Sequence, residues 1–133
     1  GDSTLGEALM EPTRIYVKSL LALFKQVPVH ALSHITGGGL LENLPRVMPE
    51  TCASTIDNSS WQRPAVFDWL QSAGGIDEVE MHRTFNCGVG MVIVVPESAA
   101  EQAMNCLQEL GEEPWILGQI NTRDGAEEQV TLV

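Results

Sequence analysis

Apolar positions near the start of the chain recur at helical spacing. From Thr13 onward Ile15, Leu20, Leu21, Leu23 and Phe24 are interspersed with Arg14, Lys18 and Lys25. That period predicts an amphipathic helix of about three to four turns, with Pro12 in its first turn and an end near Gln26 as Pro28 approaches. Its cations read as a solvated face, although Arg14 and Lys18 lie four apart and could share an anion. Gly1 to Glu11 show no comparable period and are expected to begin loosely. Val29 to Ile35 then read as a buried strand and Gly39 to Met48 as a short helix, limited by Pro45 and closed by Pro49. Thr51 to Ile56, with several β-branched residues, predict another strand.

Asp57-Asn58-Ser59-Ser60 is rich in helix-capping residues, and the helix after it is predicted over Pro64 to Ser72. Val66, Phe67, Trp69 and Leu70 supply its buried side, Trp61 is a candidate staple ahead of it, and Gly74-Gly75 stop it. Ile76 to Arg83 form a short helical turn whose acidic residues Asp77, Glu78 and Glu80 read as solvated. A glycine-bearing loop, Thr84 to Gly90, runs into Met91 to Val95, a strand apolar on both faces. Pro96 to Leu110 predict a helix capped by Gly111. Trp115 to Ile120 and Gln129 to Val133 predict two strands joined through Arg123-Asp124-Gly125 as a C-terminal hairpin. Strands that alternate with helices imply an α/β domain, a mixed sheet with helices on its faces.

Composition narrows the classes of function. At 133 residues the chain is one domain's worth, and 44% apolar with 19% charged residues suits a packed core. A formal charge of −11, with seven scattered basic residues, argues against nucleic acid or an anionic membrane surface as partner. No apolar stretch approaches the ~20 residues needed to cross a bilayer. Cys52, Cys87 and Cys106 are widely spaced and lack a Cys-x-x-Cys pattern, which favours free thiols in a reducing, cytoplasmic setting.

Candidate chemistry concentrates in two places. His34-Ile35-Thr36-Gly37-Gly38-Gly39-Leu40 puts three glycines where a strand gives way to a helix. Such a run is either a tight turn or a cradle whose amides point at one anion. Asn86-Cys87-Gly88-Val89-Gly90 is the second. Neither carries a Gly-x-x-x-x-Gly-Lys-Ser/Thr loop, and Gly88-x-Gly90 lacks the third glycine of a dinucleotide fingerprint. His34 is either structural or a group able to bind phosphate or move a proton. Arg46 lies seven residues past the glycines, an anion partner or a plain surface cation. Asn86 could orient a ligand or bridge its own turn. His30, His34 and His82 are too differently placed for a metal site.

Three runs, taken together, resemble a known family. Pro12-Thr13-Arg14-Ile15-Tyr16-Val17-Lys18, then His34 to Leu40 with Glu42-Asn43 and Pro45-Arg46, then Arg83-Thr84-Phe85-Asn86-Cys87-Gly88-Val89-Gly90-Met91 are similar, in order, to phosphoribosylformylglycinamidine cyclo-ligase. That family is also called aminoimidazole ribonucleotide synthetase. The similarity runs from about Leu9 to the C-terminus. Position 87, often Met in the family, is Cys here and stays apolar.

The resemblance implies a three-layer α/β/α (α+β) fold with a mixed sheet, like the family's C-terminal domain. It implies that residues 1–133 are part of that domain, with the N-terminal ATP-binding half and the domain's first strand, loop and helix lying upstream. The implied reaction is an ATP-dependent ligase step of purine biosynthesis, from formylglycinamidine ribonucleotide to aminoimidazole ribonucleotide with release of ADP and phosphate. ATP and Mg would be held mostly by the N-terminal domain, and the whole protein is expected to be a cytoplasmic homodimer. By residue-level match, His34 is the candidate catalytic group. Thr36, Gly37, Gly38, Gly39, Asn43, Arg46, Asn86, Gly88 and Gly90 are the candidate phosphate- and substrate-binding residues, with no metal ligand among them. Alternatives are a related two-domain enzyme, formylglycinamidine synthetase or selenophosphate synthetase, or an interaction module without activity of its own. A domain cut in this way is expected to expose a sheet edge or apolar face and to self-associate.

Overall fold

The computed structural model describes residues 4–133. It opens with a helix, α1 (Leu5–Leu9), where the apolar pattern predicts none. The cause is local. The Thr4 hydroxyl accepts from the Glu7 amide at 3.3 Å, and the Glu7 carboxylate accepts from the Thr4 amide at 2.7 Å. This reciprocal cap satisfies two donors that a helix start otherwise leaves open.

The helix expected from Pro12 is shorter than its period suggests: α2 spans Val17–Leu23, and residues 11–16 form a strap without helical turns. The residue ahead of Pro12 is disfavoured in the helical region, and Arg14 leaves the helix path to reach Glu112 at 2.8 Å and the Gly111 carbonyl at 3.2 Å. Arg14 and Lys18 therefore share no helix face, and the anion pair their spacing allowed is not formed.

Two small sheets carry the centre. In the first, β1 (Ala31–His34) pairs antiparallel with β3 (Met91–Val94), Leu32 facing Ile93 and His34 facing Met91. In the second, β2 (Cys52–Ile56) lies between β4 (Gly118–Thr122), antiparallel to it, and β5 (Val130–Leu132), parallel to it. The mixed α/β class is as expected, but the C-terminal hairpin is not: β4 and β5 never pair. Arg123 donates to the carbonyls of Glu127 at 2.7 Å and Glu50 at 3.2 Å, folding the intervening segment across the end of β2 instead of into a tight turn. The strand predicted from Trp115 starts only at Gly118, and Trp115 lies tilted against Trp61 with ring centroids 6.4 Å apart.

The remaining helices are α3 (Gly39–Asn43), extended by a 3-10 turn at Pro45–Val47, α4 (Ala65–Gly74), α5 (Glu78–Thr84) and α6 (Ala100–Glu109). Gly75, at φ 60°, caps α4 as expected. No residue of α4 is fully buried, and Trp69, expected inside, is 46% exposed.

The core falls into two clusters. Leu23 and Val27 pack on Ala103, Cys106 and Leu107 of α6, with Val29 and Ile93 half-buried against them. Ile35, Leu40, Leu44, Ile56, Val89 and Val130 form the other, which ties the end of β1 and α3 to the second sheet. Full burial of side chains such as Leu40 and Leu44 stabilises by about 1.5–3 kcal/mol each, so the glycine-rich turn between β1 and α3 sits on firm ground. Strand β3 is only half-buried along its length because β1 is its single neighbour, short of the two-faced burial its sequence predicts. No helix of the described residues is long and apolar enough to cross a membrane.

Candidate functional site

Both glycine loops leave the same end of the β1–β3 ladder. His34, the last residue of β1, faces Met91, the first of β3, and the Ile35 amide donates to the Gly90 carbonyl at 3.0 Å. A second clamp lies further along. Gly39, at φ 55°, sits so close to α5 that a Cβ there would overlap the His82 carbonyl and lie 2.7 Å from the carbonyl oxygen of Phe85. Only glycine fits, for both conformation and space. The loops are thus joined at Ile35–Gly90 and at Gly39–Phe85.

Within the first loop, Asn43 is the organiser. Its buried side-chain amide donates to the carbonyls of Thr36 at 3.3 Å, Gly37 at 3.2 Å and Gly39 at 2.9 Å. With those carbonyls tied inward, the turn is held open on its other side. Arg46 donates to the Asn43 side-chain oxygen at 3.2 Å and is itself exposed. The Gly39 amide is engaged by Thr36 at 3.0 Å, whereas those of Gly37 and Gly38 donate to no group among the described residues. Glu42, part of the family-like run but not among the candidate site residues, folds over Gly38: its carboxylate lies 3.0 Å from where a Cβ would be. An anion approaching Gly38 must displace that exposed side chain, so Gly37, which has open space around it, is the easier approach.

The second loop is closed on itself. Asn86 accepts from the Gly88 amide at 3.0 Å through its side chain and from the Val89 amide at 2.9 Å through its carbonyl. It therefore bridges its own turn, one of the two roles open to it. Cys87 takes a left-handed φ of 51° and is buried, and its carbonyl accepts from the Trp61 indole at 2.9 Å. Trp61 is thus a brace for this loop and not a staple for α4. Gly88, at φ 98°, leaves room for Pro64.

Beneath the loops lies a charged cluster. Arg63 pairs with Asp68 at 2.8 Å and Glu78 at 3.1 Å and donates to Gln71 at 2.6 Å, while Gln71 donates to Glu78 at 2.8 Å. Glu78, expected to be merely solvated, is a hub, and the Gln71 and Arg63 hydrogen bonds hold its carboxyl below the ordinary range. His82 is buried, its Nε2 3.2 Å from Glu78 and its Nδ1 without a partner. Burial pushes its imidazole below the usual value, against the pull of Glu78. His82 supports the Gly39 contact through its backbone; its ring faces Trp61 edge-on at 6.1 Å.

The structure therefore brings together His34, Thr36 to Gly39, Asn43, Arg46 and Gly90, and sets Asn86 and Gly88 on the adjoining wall. Sequence reasoning missed Tyr16 as a site residue. Its ring meets His34 edge-on at 6.1 Å, and its hydroxyl fills the space a side chain at Gly90 would need. The signal lay in the aromatic residue within the Pro12–Lys18 run, masked by the helix assigned to it. Among the described residues no three or more His, Cys, Asp or Glu gather where a metal could be held.

Comparison with known proteins assigns the chain to a family. The profile described as "AIR synthase related protein, C-terminal domain" matches residues 1–131. Among solved structures, the chain is similar to one titled "Crystal structure of E.coli HypE", with a TM-score of 0.65 and 22% sequence identity. The match covers 96% of this chain and 40% of that one, and at this identity it speaks to the fold alone.

Proposed function

The chain belongs to the AIR synthase related family, as a C-terminal domain, and from that we propose that it is part of a phosphoribosylformylglycinamidine cyclo-ligase. The observation that supports the reading is the double clamp of the two glycine loops, by which two of the three family-like runs share one surface. In the proposed reaction the γ-phosphoryl group of ATP passes to the amide oxygen of formylglycinamidine ribonucleotide, leaving ADP. The internal amine then attacks that carbon, and phosphate departs as the ring closes to aminoimidazole ribonucleotide. Phosphorylation makes a poor leaving group a good one, and the enzyme's task is to hold two phosphate-bearing molecules in register away from water.

In this chain the free amides of Gly37 and Gly38 would receive a ligand phosphate, beside Thr36. Asn43 keeps the turn open from beneath, and Arg46, tethered to Asn43, adds the nearby positive charge. His34 stands exposed at the mouth, placed to donate to a phosphate or to exchange a proton with the attacking amine. Asn86, Gly88 and Gly90 form the neighbouring wall. A magnesium ion would neutralise ATP phosphates and would be held mostly by the companion N-terminal domain. That domain is the expected partner across the cleft, in a cytoplasmic homodimer.

The Phe85–Met91 loop and the Pro12–Lys18 run favour the cyclo-ligase over formylglycinamidine synthetase and selenophosphate synthetase. Ring-closure kinetics of the full-length protein test the assignment. Replacing His34 with Ala should lower kcat about 10²-fold or more, within the range for general acid–base groups. Arg46→Ala should raise KM for the ribonucleotide about tenfold. Unchanged kcat and KM in both variants would sink it.

A further inference from the structure

We propose that Tyr16 is a ligand-binding residue of the glycine-loop site and that Glu112, just past the end of α6, positions it through Arg14 and Ser19. The inference rests on reading the glycine loops as a phosphate-binding wall and adds a third wall, the strap at residues 11–16.

The strap has no helix of its own to fix it, so its course depends on a few side-chain ties. Arg14 reaches Glu112 Oε2 at 2.8 Å and the Gly111 carbonyl at 3.2 Å. Ser19, buried at the start of α2, donates to Glu112 Oε1 at 2.6 Å. One half-buried carboxylate thereby holds the chain on both sides of Tyr16. The Arg14 charge is matched by Glu112, so what the strap offers to a ligand is the tyrosine hydroxyl and not a cation.

That hydroxyl is placed with care. It rests on Gly90, where any side chain would overlap it, and Gly90 is not in the left-handed region. The glycine is there for space, and the space belongs to Tyr16. No hydrogen bond among the described residues uses the Tyr16 hydroxyl or the His34 imidazole, although their rings touch edge-on. Two free hydrogen-bonding groups therefore converge where β1 and β3 end and both glycine loops begin. A tyrosine hydroxyl is protonated near neutral pH in any case, and burial raises the Tyr16 pKa further from its ordinary 10.0, so the hydroxyl can act as a donor. A donor beside an exposed imidazole and free backbone amides suits phosphate oxygens.

The test uses the full-length protein carrying this chain, with calorimetric binding of inorganic phosphate, ring-closure kinetics and thermal melting. Tyr16→Phe keeps the ring against His34 and removes only the hydroxyl. It should weaken phosphate binding and raise KM for the ribonucleotide, each about tenfold, the scale of one hydrogen bond to a charged group. Its kcat should stay within about twofold, and its melting temperature should not change. Glu112→Gln should weaken both by a smaller factor. The double variant should be no weaker than Tyr16→Phe alone, because Glu112 acts through Tyr16. Phosphate binding unaltered by Tyr16→Phe, fully additive effects in the double variant, or a wild-type protein that binds no phosphate each overturns the proposal. Tyr16-dependent phosphate binding without ring closure upholds it while rejecting the cyclo-ligase reading.

Discussion

His82 shows how a single buried side chain sets a condition on the whole site. Its ring is enclosed by Trp61 and Glu78, with Arg63 close enough to disfavour a second positive charge. Burial is the largest influence, and it lowers the pKa from the ordinary 6.5. Below pH 6.5 the unfolded chain therefore binds a proton that the folded chain resists. Stability from this group is complete above that pH, falls as pH drops toward the lowered folded value, and then levels off. Urea midpoints at pH 7.5 and 5.5 should show a clear loss for the wild-type protein and a smaller one for His82→Gln. Equal losses would place the acid sensitivity elsewhere. The sequence could not reveal this role, because the burial of the His82 ring and its position against Trp61 and Arg63 are supplied by the fold. Asn43 is similar: its place in the glycine-rich run was legible, but not that its amide gathers three carbonyls.

At the scale of elements, sequence pattern located α4, α5, α6, β1, β2 and β3 to within a few residues, the strands and α6 through apolar or β-branched runs whose burial decides them. The failures occurred where local hydrogen bonds or distant ties won. The Thr4–Glu7 capping box, visible in the sequence as Thr-x-x-Glu, makes α1 without a long apolar face. Glu112 draws Arg14 out of the helix that Ile15 and Leu20 suggest, a contact between residues far apart in the chain that no local pattern encodes. The hairpin failed because β2 supplies a better partner for both strands than they supply for each other. The junction of α3 with α5 is the element contact on which the site depends. Gly39→Ala combines a left-handed backbone with an overlap at the His82 carbonyl, and should destabilise by about 2–5 kcal/mol. Gly37→Ala, in open space, should cost much less. Chemical denaturation of the two variants side by side checks this, and equal midpoints would contradict the clamp.

For the molecule as a whole, the site is a surface and not an enclosed cavity. His34, Thr36, Gly37 and Arg46 are exposed, and the proposed phosphoryl transfer at such a surface would need something opposite it to exclude water. Exposed apolar side chains such as Met10, Ile15, Val17 and Ile116 mark further surface that the described residues leave uncovered. The AIR synthase related family could be read from three short runs of sequence and the α/β class from the alternation of strands with helices, whereas the packing of Tyr16 on His34 and Gly90 emerged only from the fold. The reading of this surface as one half of an ATP-dependent ring-closing site is tested most directly by turnover. The full-length protein, given ATP, magnesium and formylglycinamidine ribonucleotide, should form aminoimidazole ribonucleotide, ADP and phosphate in equal amounts. ATP consumed only with a different acceptor, or no aminoimidazole product at any enzyme concentration, would contradict it.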